Sequence, residues 1–127
     1  MALLLDTHAL IWWAAGNTIL PEAARRMIYD EANVFVSAVS VFEITTKFTK
    51  GKLPQAALIA TDVGAYMAAE GFKPLSISIR HAQVAGTLPG PSRDPFDRLL
   101  IAQAMVENLQ FVSIEKPFDA YPIKRLW

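Results

Sequence analysis

The chain has 127 residues, no cysteine, and twelve basic against twelve acidic residues, so its formal net charge is zero. This length corresponds to one ordinary domain. The absence of cysteine excludes disulfides, thiolate catalysis and cysteine-based zinc sites, and His8 and His81 are too few for a histidine-rich zinc site. With no net charge to attract nucleic acid, any RNA or DNA contact must use a local basic patch or metal ions.

The first residues carry no pattern typical of a targeting signal. The first basic residue is Arg25, and Asp6 and His8 interrupt the early apolar stretch. The longest apolar run, Ala9 to Ala15, is far shorter than the roughly 20 residues needed to span a bilayer. We therefore expect a soluble cytoplasmic protein with no membrane contact.

Strand-like and helical patterns alternate along the chain. In chain order, we predict a strand at Leu3–Leu5, helices at Thr7–Ala15 and Pro21–Glu31, a strand at Val34–Ser37, helices at Ser40–Lys50 and Ala56–Glu70, a strand at Pro74–Ile77, a helix at Ser78–Gly86, a loop at Leu88–Ser92, a helix at Asp94–Glu107, a strand at Phe111–Ile114 and an edge strand at Ile123–Leu126. This alternation favours an α/β fold with a parallel sheet covered on both faces, and nothing indicates a second domain.

Four acidic residues lie at strand ends or helix starts: Asp6, Glu43, Asp94 and Asp97. In an open parallel sheet the carboxyl ends of the strands and the adjacent helix starts share one edge, where ligands bind. Clustered carboxylate oxygens suit Mg²⁺ or Mn²⁺. The spacing therefore predicts a metal site at this edge.

Helix capping is a simpler explanation for each acid. Asp94 with Pro95 and Asp97 forms a good helix start, Ser40 with Glu43 fits a capping box, and Asp6 can cap the helix after it. Capping does not explain why an acid follows a buried apolar strand, nor why Asp94 and Asp97 place two like charges on one helical face. Spacing alone leaves both interpretations open.

Three segments decide between them: LLLDTHALIW from Leu3, SAVSVFEI from Ser37 and RDPFDRLLIAQA from Arg93. They resemble the signature segments of the PIN-domain family, specifically the VapC-type toxins of bacterial toxin–antitoxin pairs. The stretch from Phe111 to Phe118 and the final residues resemble the last two strands of that family. The resemblance covers nearly the whole chain.

The resemblance implies a single PIN domain over residues 1–127, built as a three-layer α/β/α sandwich with a central, mostly parallel sheet. It also implies a ribonuclease toxin that hydrolyses RNA with Mg²⁺, or Mn²⁺ in its place, and is controlled by a small cognate antitoxin. Family members are commonly dimeric, so a homodimer or a toxin–antitoxin hetero-oligomer is expected.

The resemblance also implies roles for individual acids. Asp6 and Asp97 match direct metal ligands, Glu43 a residue that binds metal or orients water, and Asp94 a less central catalytic neighbour. Many members have aspartate where this chain has Glu115. We treat Glu115 as an outer metal ligand, with a solvated acid in a turn as the equal alternative.

Further residues flank the acids. Those expected to contact substrate are Thr7, Ser113, Arg93, Arg98 and Lys116. The two hydroxyls can hydrogen-bond the acids or a metal-bound water, or act as local caps, whereas the three cations can hold RNA phosphates. For Lys47, a helix pair with Glu43 is favoured. Packing is favoured over base stacking for Trp12, Trp13 and Phe42, and a structural role for His8 and His81.

Parts of the sequence are compatible with two other functions. Lys116-Pro117-Phe118 resembles the Lys-Pro turn of response-regulator receiver domains, but that reading needs an aspartate at the end of a central strand, and the nearest candidate, Asp62, lies in a helical stretch. A PIN module that binds its antitoxin without cleaving RNA is the other alternative, and only Glu115 favours it. The sequence does not indicate which RNA is cut.

Overall fold

The structure, a computed structural model, describes all residues from 1 to 127. Its strands are β1 at Leu3–Leu5, β2 at Val34–Ser37, β3 at Lys73–Leu75, β4 at Gln110–Val112 and β5 at Arg125–Leu126. Its helices are α1 at Thr7–Ala15, α2 at Glu22–Asp30, α3 at Ala38–Thr49, α4 at Val63–Glu70, α5 at Ile79–Thr87 and α6 at Pro95–Val106. No helix is both long enough and apolar enough to cross a bilayer.

The five strands form one parallel sheet in the order β3-β2-β1-β4-β5. Side chains of β1 alternate between its two faces, and each face has its own core. Leu3 and Leu5 pack with residues of α1, α2 and α4, whereas Leu4 packs with residues of α6. The predicted three-layer α/β/α sandwich is therefore confirmed.

The predicted helix over Ala56–Glu70 is wrong in its first half. A short 3₁₀ turn at Pro54–Ala56 is followed by further turns, and α4 begins only at Val63. The Asp62 side chain accepts a hydrogen bond from the Ala65 amide and so starts a new helix. Ala56 and Ile59 are buried in the core, so packing rather than helix propensity sets the path of this segment.

The start of α3 also differs from the prediction. Ser37, the last residue of β2, caps the helix by accepting a hydrogen bond from the Val39 amide. The helix therefore begins at Ala38, two residues before the expected Ser40, and the capping-box explanation for Glu43 is wrong. Ser40 instead lies inside the helix, buried against α1.

Both edges of the sheet are short. Pro74, at the centre of β3, pairs in register with Val36. The opposite edge, β5, has two residues and pairs only with β4, which confirms the predicted edge strand in a shorter form. The carboxyl ends of β1, β2 and β4 lie side by side between these edges.

Candidate metal site and its surroundings

Asp6 is fixed at the carboxyl end of β1. Its Oδ1 accepts a hydrogen bond from the Thr7 amide at 2.8 Å, and its Oδ2 accepts one from the Ser113 hydroxyl at 2.8 Å. The side chain is buried, at 6% exposure. Burial raises the pKa of Asp6 to about 6, although both hydrogen bonds oppose that rise. Asp6 caps α1, as the simpler explanation predicts. Its burial also makes the ionised form of the carboxylate unfavourable.

Thr7 and Ser113 are buried, at 1% and 0% exposure, and the expected hydrogen bond from a hydroxyl to an acid is made by Ser113. Thr7 donates its hydroxyl hydrogen to Ser40 Oγ at 2.9 Å, which ties α1 to α3. Ser113 follows β4 and holds Asp6. Their role is to orient the acid and its helices.

Asp97 lies in the first turn of α6 and is half-buried. Burial, and after it the nearby negative charges of Asp94, Asp6, Glu43 and Glu115, together raise the pKa of Asp97 to about 7. All the predicted acids therefore act on one carboxyl group, although they come from four separate parts of the chain. Asp94 caps α6 by accepting a hydrogen bond from the Phe96 amide, as predicted for a helix start.

The acids share one edge but do not form a ready-made ligand cluster. No three acidic or histidine side chains are arranged to hold a metal ion as they stand. Three local contacts involve these acids. Both oxygens of Asp6 accept hydrogen bonds, and Glu43 Oε2 lies 2.5 Å from Lys47 Nζ. The contact with Lys47 confirms the favoured Glu43–Lys47 helix pair.

Glu115 is exposed, after β4. Together with Asp97 it lines a cavity of about 200 Å³, whose remaining wall is formed by Pro91, Ser92, Pro117, Phe118 and Tyr121. The Tyr121 hydroxyl accepts a hydrogen bond from the Ser92 amide and so fixes the loop before α6. The loop between α5 and α6 therefore forms one wall of a preformed cavity beside the acids.

Arg98 is engaged within the protein, and its phosphate contact stays a prediction. Its guanidinium donates hydrogen bonds to the backbone carbonyls of Ala85, Leu88 and Ser92. These contacts fasten the end of α5 and the following loop to α6. Arg93 and Lys116 are exposed and near the acids in sequence, so their predicted phosphate contacts remain open.

The aromatic residues and His81 have the structural roles expected of them. Trp12 and Trp13 are half-buried against the core of β1, and Trp12 also contacts Trp127 edge to face, with ring centres 5.5 Å apart. His81 is buried, with Nδ1 accepting from the Ser78 amide and Nε2 lying 2.8 Å from Glu107. Phe42 is 59% exposed, its ring packed against Phe96.

Sequence reasoning missed two residues that build the site. The sequence pattern predicts Ser37 only as the end of a strand and Ser40 as the cap of the helix. A serine directly after an apolar β-branched run is a signal for an N-cap and could have located the start of α3. No signal in the sequence shows that Thr7 and Ser40 meet, because their contact depends on how α1 and α3 pack.

Comparison with known proteins identifies the fold family. A family model for the PIN domain matches residues 3–124. The chain belongs to the PIN domain family. As a PIN domain it has the strand order 3-2-1-4-5, whereas receiver domains have the order 2-1-3-4-5, and Asp62 caps α4 instead of ending a central strand. The receiver alternative is therefore wrong.

The relatives of this PIN domain are VapC proteins, which confirms the resemblance seen in the sequence. Ribonuclease VapC22 of Mycobacterium tuberculosis is 26% identical over 116 residues, covering 89% of this chain and 86% of that protein. VapBC2 from Rickettsia felis, solved bound to a promoter DNA fragment, has a TM-score of 0.72 at 16% identity and covers 99% and 98% of the two chains. DNA-bound VapBC from Salmonella typhimurium gives 0.71 at 17% identity, covering 99% and 97%.

A further solved structure is VapC20 of M. tuberculosis, a toxin described as cleaving the sarcin-ricin loop. Its TM-score is 0.64 at 16% identity, with 94% of each chain covered. At these identities the structural matches establish the fold. The activity and partners of this chain must be argued from its own site.

Proposed function

We propose that this PIN domain is a metal-dependent endoribonuclease and the toxin of a toxin–antitoxin pair. The observation that carries the proposal is the placement of Asp6 and Asp97. Both lie at the carboxyl edge of the sheet, and burial raises the pKa of each well above its ordinary value. Natural proteins retain such unfavourable charges mainly at functional sites. The name of the relative, ribonuclease VapC22, supports the same activity.

The residues fit a divalent cation in their chemistry. The donors are carboxylate oxygens, which Mg²⁺ and Mn²⁺ prefer, and a cation would offset the mutual repulsion that acts on Asp97. Asp6, Asp97 and Glu43 would hold the ion, with Glu115 as an outer ligand. When bound, such an ion supplies charge stabilisation for a phosphodiester and a water of lowered pKa.

The protein groups around the ion would position the reaction. Ser113 and the Thr7 amide hold the Asp6 carboxylate in one orientation, so this ligand does not need to be ordered when RNA arrives. Asp94 caps α6 and thereby fixes the turn that carries Asp97. Arg93 and Lys116 are the exposed cations available for RNA phosphates, which would provide affinity without sequence preference.

The proposed partner is a small antitoxin protein in the cytoplasm. Two solved structures of similar fold contain a VapB together with a VapC protein and DNA, which supports an antitoxin partner for this chain. We propose a homodimer or a toxin–antitoxin hetero-oligomer as the assembled form.

The test is cleavage of a mixed cellular RNA pool by antitoxin-free protein in Mg²⁺, Mn²⁺ or EDTA. The variants are Asp6→Asn and Asp97→Asn, with Asp30→Asn as the matched control because Asp30 is an exposed acid at the end of α2. We expect metal-dependent cutting by the wild type and the control, and a loss of at least a hundredfold in the two site variants.

A negative result in this cleavage assay favours a different function. If folded wild-type protein cuts no RNA in any metal, the chain is a binding module that captures its antitoxin without catalysis. The absence of a ready-made ligand cluster and the exposed Glu115 are the observations that favour this second candidate. If Asp6→Asn or Asp97→Asn still cuts at the wild-type rate, the catalytic site lies elsewhere.

A further inference from the structure

Lys47 is the cation that lies within the carboxylate group. Its Nζ is 2.5 Å from Glu43 Oε2, one turn earlier on α3. The charges of Asp94 and Asp97 on α6 also act on it, after the stronger effect of Glu43. Because α3 and α6 contact each other, the ammonium group lies within electrostatic reach of carboxylates on both helices.

The other basic side chains near the acids contact backbone carbonyls or form no ion pair. The guanidinium of Arg98 donates hydrogen bonds to three backbone carbonyls, and Arg93 and Lys116 make no ion pair with a carboxylate. His8 exerts its charge on Asp6 but has no ion pair either. Lys47 alone is in direct contact with a proposed metal ligand.

The two partners of this pair differ in exposure to solvent. The Glu43 side chain is 9% exposed, whereas the Lys47 side chain is 36% exposed. A lysine carries a compact charge on a flexible four-carbon stem, so the ammonium can swing into solvent without opening the core. Glu43 cannot leave the site so easily. If another cation binds Glu43, Lys47 is the group that moves.

We infer that Lys47 is a displaceable counter-ion: it neutralises Glu43 before a divalent cation binds, and afterwards its ammonium contacts a phosphate of the RNA. This inference rests on the proposed function, because it requires Glu43 to bind the cation. It assigns Lys47 two effects of opposite sign. Its charge weakens divalent-cation binding, and the same charge strengthens RNA binding once the cation is in place.

The experiment measures both effects on Lys47→Met. Mn²⁺ affinity of the full chain is determined by titration calorimetry and by the electron paramagnetic resonance signal of free Mn²⁺, without RNA. Removal of one positive charge beside the ion should tighten Mn²⁺ binding by about tenfold. At saturating Mn²⁺, the KM for RNA should rise several-fold, because a phosphate contact is lost.

Three variants serve as controls. Lys47→Gln repeats the neutralisation with a polar side chain, should one variant fold poorly. Lys47→Arg keeps the charge and should bind Mn²⁺ no tighter than the wild type. Lys50→Met removes an exposed charge three residues later, just after α3, and should change neither Mn²⁺ affinity nor KM.

The possible results distinguish the counter-ion role of Lys47 from a purely structural role. Tighter Mn²⁺ binding with a higher KM, seen only in the two neutral variants, supports the inference. Unchanged or weaker Mn²⁺ binding in Lys47→Met overturns it, because Lys47 would then order Glu43 or stand aside. An unchanged KM overturns the phosphate contact. If wild-type protein binds no Mn²⁺ at all, the proposed metal site itself fails and the inference with it.

Discussion

Asp6 shows how one residue can serve both the fold and the site. As a cap it accepts the Thr7 amide, and as a neighbour of β4 it accepts the Ser113 hydroxyl. Neither contact needs a full negative charge, since an asparagine oxygen can accept from the Thr7 amide while its NH2 group donates to the Ser113 Oγ. The charge itself is unfavourable at 6% exposure. Its presence is explained by a ligand role that a cap alone does not require.

Replacing Asp6 by Asn should therefore stabilise the metal-free protein at pH 8. The buried charge disappears while the Thr7 amide keeps an acceptor, and we expect a gain of about 2 kcal/mol from the raised pKa of Asp6. At about pH 3.5, below the ordinary pKa of 3.8, Asp6 is mostly protonated in both the folded and the unfolded chain, so the two proteins should have similar stability. Urea unfolding in EDTA at both pH values measures this.

Asp30→Asn is the control and should show no such dependence on pH. If Asp6→Asn is less stable than the wild type at pH 8, the carboxylate is a structural requirement. Mn²⁺ should raise the melting temperature of the wild type and of Asp30→Asn, but leave Asp6→Asn unchanged.

At the scale of elements, the loop between α5 and α6 is fixed at both ends. Arg98 fastens one end to the carbonyls of Ala85 and Leu88, and Tyr121 holds the Ser92 amide near the other. Asp94 follows directly and caps α6. The position of the acids on α6 therefore depends on a tether that carries no site chemistry.

Arg98→Leu should destabilise the protein by about 2–4 kcal/mol, because it removes charge-assisted hydrogen bonds and takes the side-chain donor from the Leu88 and Ser92 carbonyls, whereas the Ala85 carbonyl keeps the Leu88 amide. Arg93→Leu, five residues earlier and exposed, should change stability by less than about 0.5 kcal/mol. The urea midpoint at constant slope reports both. Equal stabilities would show that the carbonyl contacts contribute little.

Gly90 offers a second test of the same loop. Its φ is +125°, and a Cβ added there would lie 2.6 Å from the Tyr121 ring. Gly90→Ala should therefore destabilise the protein by about 1–3 kcal/mol. Gly86→Ala, inside α5 with open space around it, should stabilise it by about 0.5–1 kcal/mol. Thermal unfolding of the pair should give shifts of opposite sign, and shifts of the same sign would contradict this account.

At the scale of the whole molecule, the acids make stability depend on pH. In the folded state the pKa values of Asp6 and Asp97 are about 6 and 7, above the ordinary 3.8. Between about pH 4 and pH 7 the folded protein holds more protons than the unfolded chain, so its stability falls as the pH rises through this window. Melting temperatures in EDTA should therefore decrease from pH 5 to pH 8.

Divalent cations should reverse that decrease, since they bind the ionised carboxylates of the folded state. The comparison is a melting series at pH 5, 6, 7 and 8 with EDTA or with Mn²⁺. Melting temperatures in EDTA that rise with pH would show that the acids are not destabilising when ionised. A decrease that Mn²⁺ does not reverse would show that they do not bind it.

The fold was largely predictable because the alternation of strands and helices is written in local patterns. The apolar run Leu3–Leu5 by itself correctly predicts β1. The parallel topology predicts the sheet edge at which the acids lie. What local patterns could not show depends on tertiary contacts. Ala56 packs into the core, and this packing overrides the helix predicted there. The guanidinium of Arg98 donates to backbone carbonyls that come together only in the folded chain.

The two borders of the sheet limit how copies of this protein can associate. Pro74 has no amide hydrogen at the centre of one border strand, and the neighbouring Lys73 is exposed. The other border strand, β5, is only two residues long. An incoming chain thus finds few free backbone donors with which to extend the sheet. Fibre growth by the addition of strands to this sheet is therefore disfavoured, and we expect any self-association to use helical surfaces.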